Sequence, residues 1–185
     1  CCGTGAMTAL LAETYPEAGL LGVDFAPGML REAEARFVRM GGPSPRFILG
    51  DQNDLPFADA SFDLVVNAFG LRNSVSPERS LAEMLRVLQP GGFLALLELT
   101  RPEGGILDRL FSLYFLHLTP LLAGLLGGDA AAYHYLPASV AGFRTRMELA
   151  AALAGLSGGA PAVTPLFASL VTLYLLRSPE RRRVE

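Results

Sequence analysis

Along the chain, stretches whose apolar residues recur every three to four positions alternate with short unbroken apolar runs. Ala6, Leu10, Leu11 and Ala12 fall on one helical face, and Tyr15-Pro16 closes that helix because proline has no amide to continue it. Residues 20–24, Leu-Leu-Gly-Val-Asp, read as a short buried strand. Met29, Leu30, Ala33, Phe37 and Val38, interleaved with Arg and Glu, predict an amphipathic helix over 27–40 that Gly41-Gly42-Pro43 stops. Phe47-Ile48-Leu49 and Phe62–Asn67 predict the next two strands. Pro77-Glu78 opens a helix through Leu88, Gln89-Pro90-Gly91-Gly92 breaks it, and Phe93–Leu99 is an uninterrupted apolar strand. The β-branched and aromatic run Ala168–Leu176 predicts a strand that closes the sheet. Strands alternating with helices imply an α/β fold, a Rossmann-like doubly wound and mostly parallel sheet covered on both faces.

One segment departs from this rhythm. From Ile106 to Leu126 the chain is almost wholly apolar and approaches the length that spans a bilayer. Asp108, Arg109, His117 and Pro120 interrupt it, which argues against a transmembrane helix. Two alternatives stay open: a core or lid helix pair within an insertion, and a greasy cap that accepts an apolar tail or rests on a membrane surface.

Composition narrows the class. The chain has 185 residues, 51% of them apolar, enough for one domain with a sizeable core. Its net charge of −3 argues against nucleic acid, which demands a basic footprint. Cys1 and Cys2 are adjacent and poorly placed for an unstrained disulfide, so they read as two small packed thiols in a reducing cytoplasm, with no metal site. No signal peptide is visible, and nothing upstream of Cys1 supplies the buried strand on which its turn should hang.

The chemistry concentrates at predicted strand ends. Cys1-Cys2-Gly3-Thr4-Gly5 is a glycine-rich turn opening a helix, and Asp24 ends the next strand, the arrangement by which doubly wound folds hold an adenosine-containing cofactor. Gly3 and Gly5 let backbone amides approach a carboxylate at a helix N-terminus, Thr4 adds a hydroxyl, and Asp24 suits both hydroxyls of a ribose. Asp51, at the end of the predicted strand Phe47-Ile48-Leu49, suits an adenine amine, with Gln52 beside it; on chemistry alone both serve equally well as turn formers. Met29, behind Pro27-Gly28, has two readings, packing against the adenine or ribose and core filling, and helical spacing favours the second. The third glycine of a dinucleotide fingerprint is missing, with Met7-Thr8 in that region, which sets a nicotinamide oxidoreductase aside.

Several strings are more particular: Gly22-Val23-Asp24-Phe25 with Gly28-Met29-Leu30, Phe69-Gly70-Leu71-Arg72-Asn73, Glu83–Leu88 with Pro90-Gly91-Gly92, and Gly128-Asp129 ahead of Tyr133-His134-Tyr135-Leu136. Together they resemble the UbiE/MenG family of quinone-biosynthesis methyltransferases. The resemblance implies the class I S-adenosylmethionine-dependent methyltransferase fold with an antiparallel last strand, as a single domain over 1–176 lacking its first strand and N-terminal helices. It further implies an apolar helical insertion over 104–145 that covers the substrate, and a tail over 177–185. It implies S-adenosylmethionine contacts at Thr4, Asp24, Asp51 and Gln52, and Gly3, Gly5, Phe25 and Asn67 complete the expected cofactor set. The implied reaction methylates a ring carbon of a prenylated quinol, a demethylmenaquinol or the ubiquinone precursor.

Arg72 and Asn73 are the candidate catalytic pair, donors for a forming phenolate; the rival role for Arg72 is a salt bridge from its loop to an acid. Tyr133 and His134 are candidate substrate residues, with aromatic packing and a structural histidine as the alternatives. The expected setting is cytoplasmic, with peripheral contact to the inner face of the membrane, as a homodimer. This chain departs from the family pattern at Ala130-Ala131-Ala132, Ala141, Ala168-Ser169 and Tyr174, which leaves open another lipophilic acceptor, or a non-catalytic relative that binds the cofactor or a lipid.

Overall fold

The computed structural model describes residues 1–41, 45–105, 139–166 and 170–179. In chain order the elements are α1 (Ala6–Thr14), β1 (Leu21–Asp24), α2 (Pro27–Met40), β2 (Arg46–Leu49), β3 (Phe62–Ala68), a 3-10 turn (Leu71–Asn73), α3 (Pro77–Arg86), β4 (Leu88–Leu99), α4 (Arg146–Ser157), β5 (Ala162–Leu166) and β6 (Val171–Arg177).

Local chemistry sets the helix ends. Pro27 and Pro77 occupy first-turn positions where the missing amide costs nothing, and α2 ends on Gly41 in the left-handed region at φ 70°. Ser76 caps α3 by accepting from the Arg79 amide, while α4 opens with a full capping box between Thr145 and Glu148. The helix expected to reach Leu88 stops at Arg86, because the Val87 carbonyl accepts instead from the amides of Ser61 and Phe62 at the start of β3. The expected break at Gln89–Gly92 is absorbed into β4 as an outward bulge: Phe62 pairs with Leu88 and Leu64 already pairs with Phe93. Gly92 is required there, since a side chain would start 2.9 Å from the Asp63 carbonyl oxygen.

Among the described residues the strands fall into two sheets. One is the parallel pair β1-β2; the other has the order β3-β4-β6-β5, with β3 and β4 parallel and β6 antiparallel to both its neighbours. The antiparallel last strand matches expectation, and it runs on through Arg177, so the sheet takes in the first residue of the anticipated tail. Ser178 extends this further by bonding Gly91 and Gly92 through its backbone.

The core lies on one face of the larger sheet. Leu94, Leu96, Tyr174 and Leu176 point the same way from β4 and β6, and they meet Leu81 and Met84 of α3 and Leu149 and Leu153 of α4. Fully burying each such leucine contributes about 1.5–3 kcal/mol. The smaller sheet packs on α2 through Leu30, Ala33 and Phe37, with the Phe37 and Phe47 rings 5.7 Å apart. Of the expected 104–145 insertion, residues 106–138 lie outside the described residues, and Tyr133 and His134 with them.

Candidate active site

Three strand ends converge on the opening turn. The Cys2 amide donates to the Val23 carbonyl at 2.7 Å, the Gly3 amide to Asp24 Oδ2 at 2.8 Å, and the Gly5 amide back to the Cys2 carbonyl at 3.0 Å. Gly3 and Gly5 hold φ of 55° and 74°, where side chains are strained. Gly5 has a second reason to be glycine, because a Cβ there would stand 3.0 Å from Ala33 Cβ on α2. Both glycine amides thus close the turn, Gly3 onto Asp24 and Gly5 onto the Cys2 carbonyl.

Asp24 is 4% exposed, and its other oxygen, Oδ1, accepts from the Ala26 amide at 3.0 Å. A carboxylate oxygen accepts more than one bond, so this clamp leaves acceptor capacity on both oxygens. Thr4 is anchored from α2, its carbonyl accepting from Arg36 Nε at 2.8 Å and its hydroxyl from Nη2 at 3.4 Å. Gly22 opens the floor: a Cβ on it would start 2.6 Å from the Phe47 ring and 3.1 Å from Cys2 Sγ. Burial pushes the Cys2 thiol up, away from the reactive thiolate. Phe25, the next residue after Asp24, is 68% exposed.

The neighbouring strand continues the edge. The Gly50 amide donates to the Asp24 carbonyl at 3.0 Å, so Asp51 follows directly beside the end of β1. Asp51 is exposed, and Asn53, donating through both backbone and side chain at 2.8 Å, holds its carboxyl below the usual aspartate range. Gln52 turns inward, donating to the Gly70 carbonyl at 3.1 Å and accepting from Asn67 Nδ2 at 3.2 Å. Asn67 in turn accepts from the Gly70 amide at 3.3 Å, which puts it beneath the turn with both ends of its amide occupied. Gly70 touches the opening segment as well, since a Cβ would start 2.6 Å from Cys1 Cβ.

The loop after β3 carries Arg72 and Asn73. Phe69, just after the strand, sits at φ 58°, a left-handed conformation that costs about 1–3 kcal/mol for a residue of this size. Its carbonyl accepts from Arg72 Nη1 at 3.1 Å and Asn73 Nδ2 at 3.3 Å. Arg72 is 9% exposed and its Nη1 lies 2.6 Å from Glu98 Oε1, the salt bridge weighed against a catalytic role. Glu98, Phe69 and Ser139 take three guanidinium hydrogens, and the Nη2 pair lies outside those bonds. Tyr174, one of the departures from the family pattern, is wholly buried in the core; burial pushes its hydroxyl up to about 12, and it donates to the Arg146 carbonyl at 3.1 Å.

Sequence reasoning missed Glu98, Arg36 and the cluster in which Asn53 Oδ1 accepts from the hydroxyls of Ser74, at 2.9 Å, and Ser80, at 3.2 Å. Glu98 had a signal, an acid set inside the apolar run Leu94–Leu99. Arg36 and Asn53 had none, because an arginine on a polar helix face and an asparagine in a turn are ordinary.

A glycine turn that opens α1 and is bonded to the acid ending β1, in this sheet order, defines a domain of the class I S-adenosylmethionine-dependent methyltransferase fold. Solved structures agree on the fold: the chain is similar to a SAM-dependent methyltransferase from Methanosarcina mazei (TM-score 0.67, 21% identity, covering 97% of this chain and 90% of that one). It is also similar to the CurJ carbon methyltransferase (TM-score 0.69, 18% identity, covering 97% and 47%).

The chain belongs to the ubiE/COQ5 methyltransferase family, whose model matches residues 1–158. It is similar to the demethylmenaquinone methyltransferase of Thermus thermophilus, 43% identical over 156 residues that cover 82% of this chain and 69% of the relative. The demethylmenaquinone methyltransferase of Deinococcus radiodurans is 45% identical over 148 residues, covering 80% and 61%. The ubiquinone/menaquinone biosynthesis C-methyltransferase UbiE of Geobacter sulfurreducens is 39% identical over 156 residues, covering 82% and 60%. The chain thus spans between 60% and 69% of these relatives' length. Among the described residues, no helix is long and apolar enough to cross a membrane, and no cluster of His, Cys, Asp and Glu is suited to a metal.

Proposed function

We propose that this chain carries the cofactor-binding core of an S-adenosylmethionine-dependent C-methyltransferase acting on a prenylated quinol, the reaction named for its demethylmenaquinone relatives. The observation that carries the proposal is the buried Asp24 carboxylate wired to the Gly3 amide, with Asp51 held ionised on the neighbouring strand end. These residues fit the cofactor. A Cβ on Gly3 would meet no atom within 4 Å, so the turn has open space above it. Asp24 retains acceptor capacity for ribose hydroxyls, and Asp51 for an exocyclic amine. Gln52 and Asn67 act beneath the site, fixing the loop that carries Asp51 to the turn at Gly70.

When bound, S-adenosylmethionine supplies a methyl group on a sulfonium, activated toward attack by carbon. The chain's own work is mostly alignment, which for a bimolecular transfer is a large share of the barrier. Losing its hydroxyl proton makes the quinol ring carbon nucleophilic, and the resulting phenolate calls for donors. Arg72 and Asn73 stand at the C-terminal end of β3, where doubly wound folds gather ligands, and the Nη2 hydrogens of Arg72 are suited to that charge. The apolar segment 106–126 has the composition to cover a prenyl tail and to touch a membrane surface.

The full-length protein, incubated with methyl-labelled S-adenosylmethionine and a demethylmenaquinol, is expected to yield labelled menaquinol by mass spectrometry. Labelled phospholipid from a parallel incubation with membrane lipids, and no labelled quinol, overturns the substrate. Absence of any calorimetric binding of S-adenosylmethionine overturns the enzyme.

A further inference from the structure

Among the described residues two carboxylates are buried, Asp24 and Glu98, and each sits at the C-terminal end of a strand, one in each sheet. Their bonding is parallel. Asp24 accepts from the amides of Gly3 and Ala26; Glu98 accepts from the amides of Arg72, at 3.1 Å, and Leu99, at 2.9 Å. Glu98 adds a charge-assisted bond to the Arg72 guanidinium at 2.6 Å.

From this correspondence, and resting on the proposed methyl transfer, we infer that Glu98 is a positioning residue for the acceptor side, fixing the Phe69–Asn73 turn and the Arg72 guanidinium as Asp24 fixes the opening turn. Stability alone does not account for the pair, since apolar residues of similar volume commonly replace a buried ion pair without loss. What an apolar residue cannot do is grip both the backbone and the side chain of Arg72. That double grip holds the turn closed while Arg72 Nη1 and Asn73 Nδ2 restrain the strained carbonyl of Phe69. The same turn is reached from the cofactor side by Gln52, through the Gly70 carbonyl, and from the C-terminal part of the 104–145 segment by Ser139 Oγ, 3.4 Å from Arg72 Nε. Glu98 is therefore placed to set the acceptor side, its hydrogen bonds going to Arg72 and the Leu99 amide and none to a residue assigned to the cofactor.

The test uses the full-length protein and Glu98→Gln, which keeps the shape and removes the charge. Hydrogen exchange at the Arg72 amide should quicken by at least about tenfold, kcat with demethylmenaquinol should fall by a similar factor, and the S-adenosylmethionine Kd should stay within about twofold. In an Arg72→Gln background, adding Glu98→Gln should lower kcat by less than about threefold, because the two act as one unit. Unchanged exchange overturns the inference, as do losses that multiply, or cofactor affinity that falls in step with kcat. Should Glu98→Gln fail to fold, Arg72→Gln/Glu98→Gln removes both charges together, and a folded double variant with wild-type kcat and exchange also overturns it. If the wild type methylates no quinol while exchange in Glu98→Gln rises as expected, the quinol substrate falls and the positioning role of Glu98 stands.

Discussion

The two-stranded sheet and the four-stranded sheet meet the same demand, a rigid edge at the C-terminal ends of parallel strands, with different means. Among the described residues, all twelve members of the main core cluster come from Leu71 onward, on β4, β6, α3, α4 and their flanks. The first seventy residues bury Leu30, Ala33 and Phe37 as their larger apolar contribution and otherwise depend on close approach and polar wiring. Gly5 lies against Ala33, Gly22 under Phe47 and Gly50 against Val23, while Asp24 and the backbone of the turn tie the loops together. A corner held by directed bonds keeps a fixed shape at modest apolar burial, which suits a region whose open surface must admit a polar ligand. The larger sheet supplies the stability on which that corner rests.

The sharpest way to break this division is to truncate the core. Leu96 is fully buried on β4, and Leu96→Ala should destabilise the full-length protein by about 2–5 kcal/mol in chemical denaturation, through lost transfer energy and the cavity left behind. S-adenosylmethionine affinity of the fraction that remains folded should be unchanged by calorimetry; a parallel fall in affinity would join the two halves into one unit. Next in size is Asp24→Ala. It deletes the acid and leaves the Gly3 and Ala26 amides without their acceptor, so cofactor affinity should drop by about tenfold to a hundredfold, the equivalent of about 1.5–3 kcal/mol. Core stability of the larger sheet, followed by hydrogen exchange in β4, should move little. Global unfolding at the same denaturant concentration as Leu96→Ala would show that the polar corner carries more of the fold than its burial suggests.

Much of this contrast was legible before any coordinates. The glycine turn, the acid after Val23 and the helical spacing of Leu30, Ala33 and Phe37 are local patterns, and local patterns survive tertiary context when the element is short and regular. The elements that escaped notice have particular causes. In α4, alanines and leucines lie on every face, so no apolar stripe stands out; the available signal was Thr145-Arg146-Met147-Glu148, a capping-box string. In β5, Pro165 reads as a breaker, yet β5 lies at the edge of the sheet, where a missing amide is tolerated. Long-range pairings were the hardest. The grip of Glu98 on Arg72 spans 26 positions and follows from the pairing of β3 with β4, which no window of sequence contains.

The smallest expected effect probes the seam between the halves, where Arg86 of α3 gathers the loop that follows β2. Its guanidinium donates to the carbonyls of Leu55 and Phe57 and pairs with Glu83 and Asp59, while Glu83 also accepts from the Leu55 amide at 2.8 Å. Arg86 first, and then the Leu55 amide, hold the Glu83 carboxyl below its ordinary value of 4.5. A carboxyl lowered in the folded state stabilises it fully above the unfolded value, and that contribution is lost as pH falls through the folded one. Because Arg86 is partly exposed and Asp59 exposed, the contribution is about 1 kcal/mol or less, and salt should reduce it. Glu83→Gln should therefore be less stable than wild type at neutral pH, and the gap should close between about pH 5 and pH 3 as wild-type Glu83 takes up its proton. Denaturation of both proteins across that range reads the difference directly. A gap that persists at the acid end would assign the role of Glu83 to packing, and the loop would then be held by the same means as the core rather than by the polar wiring of the cofactor corner.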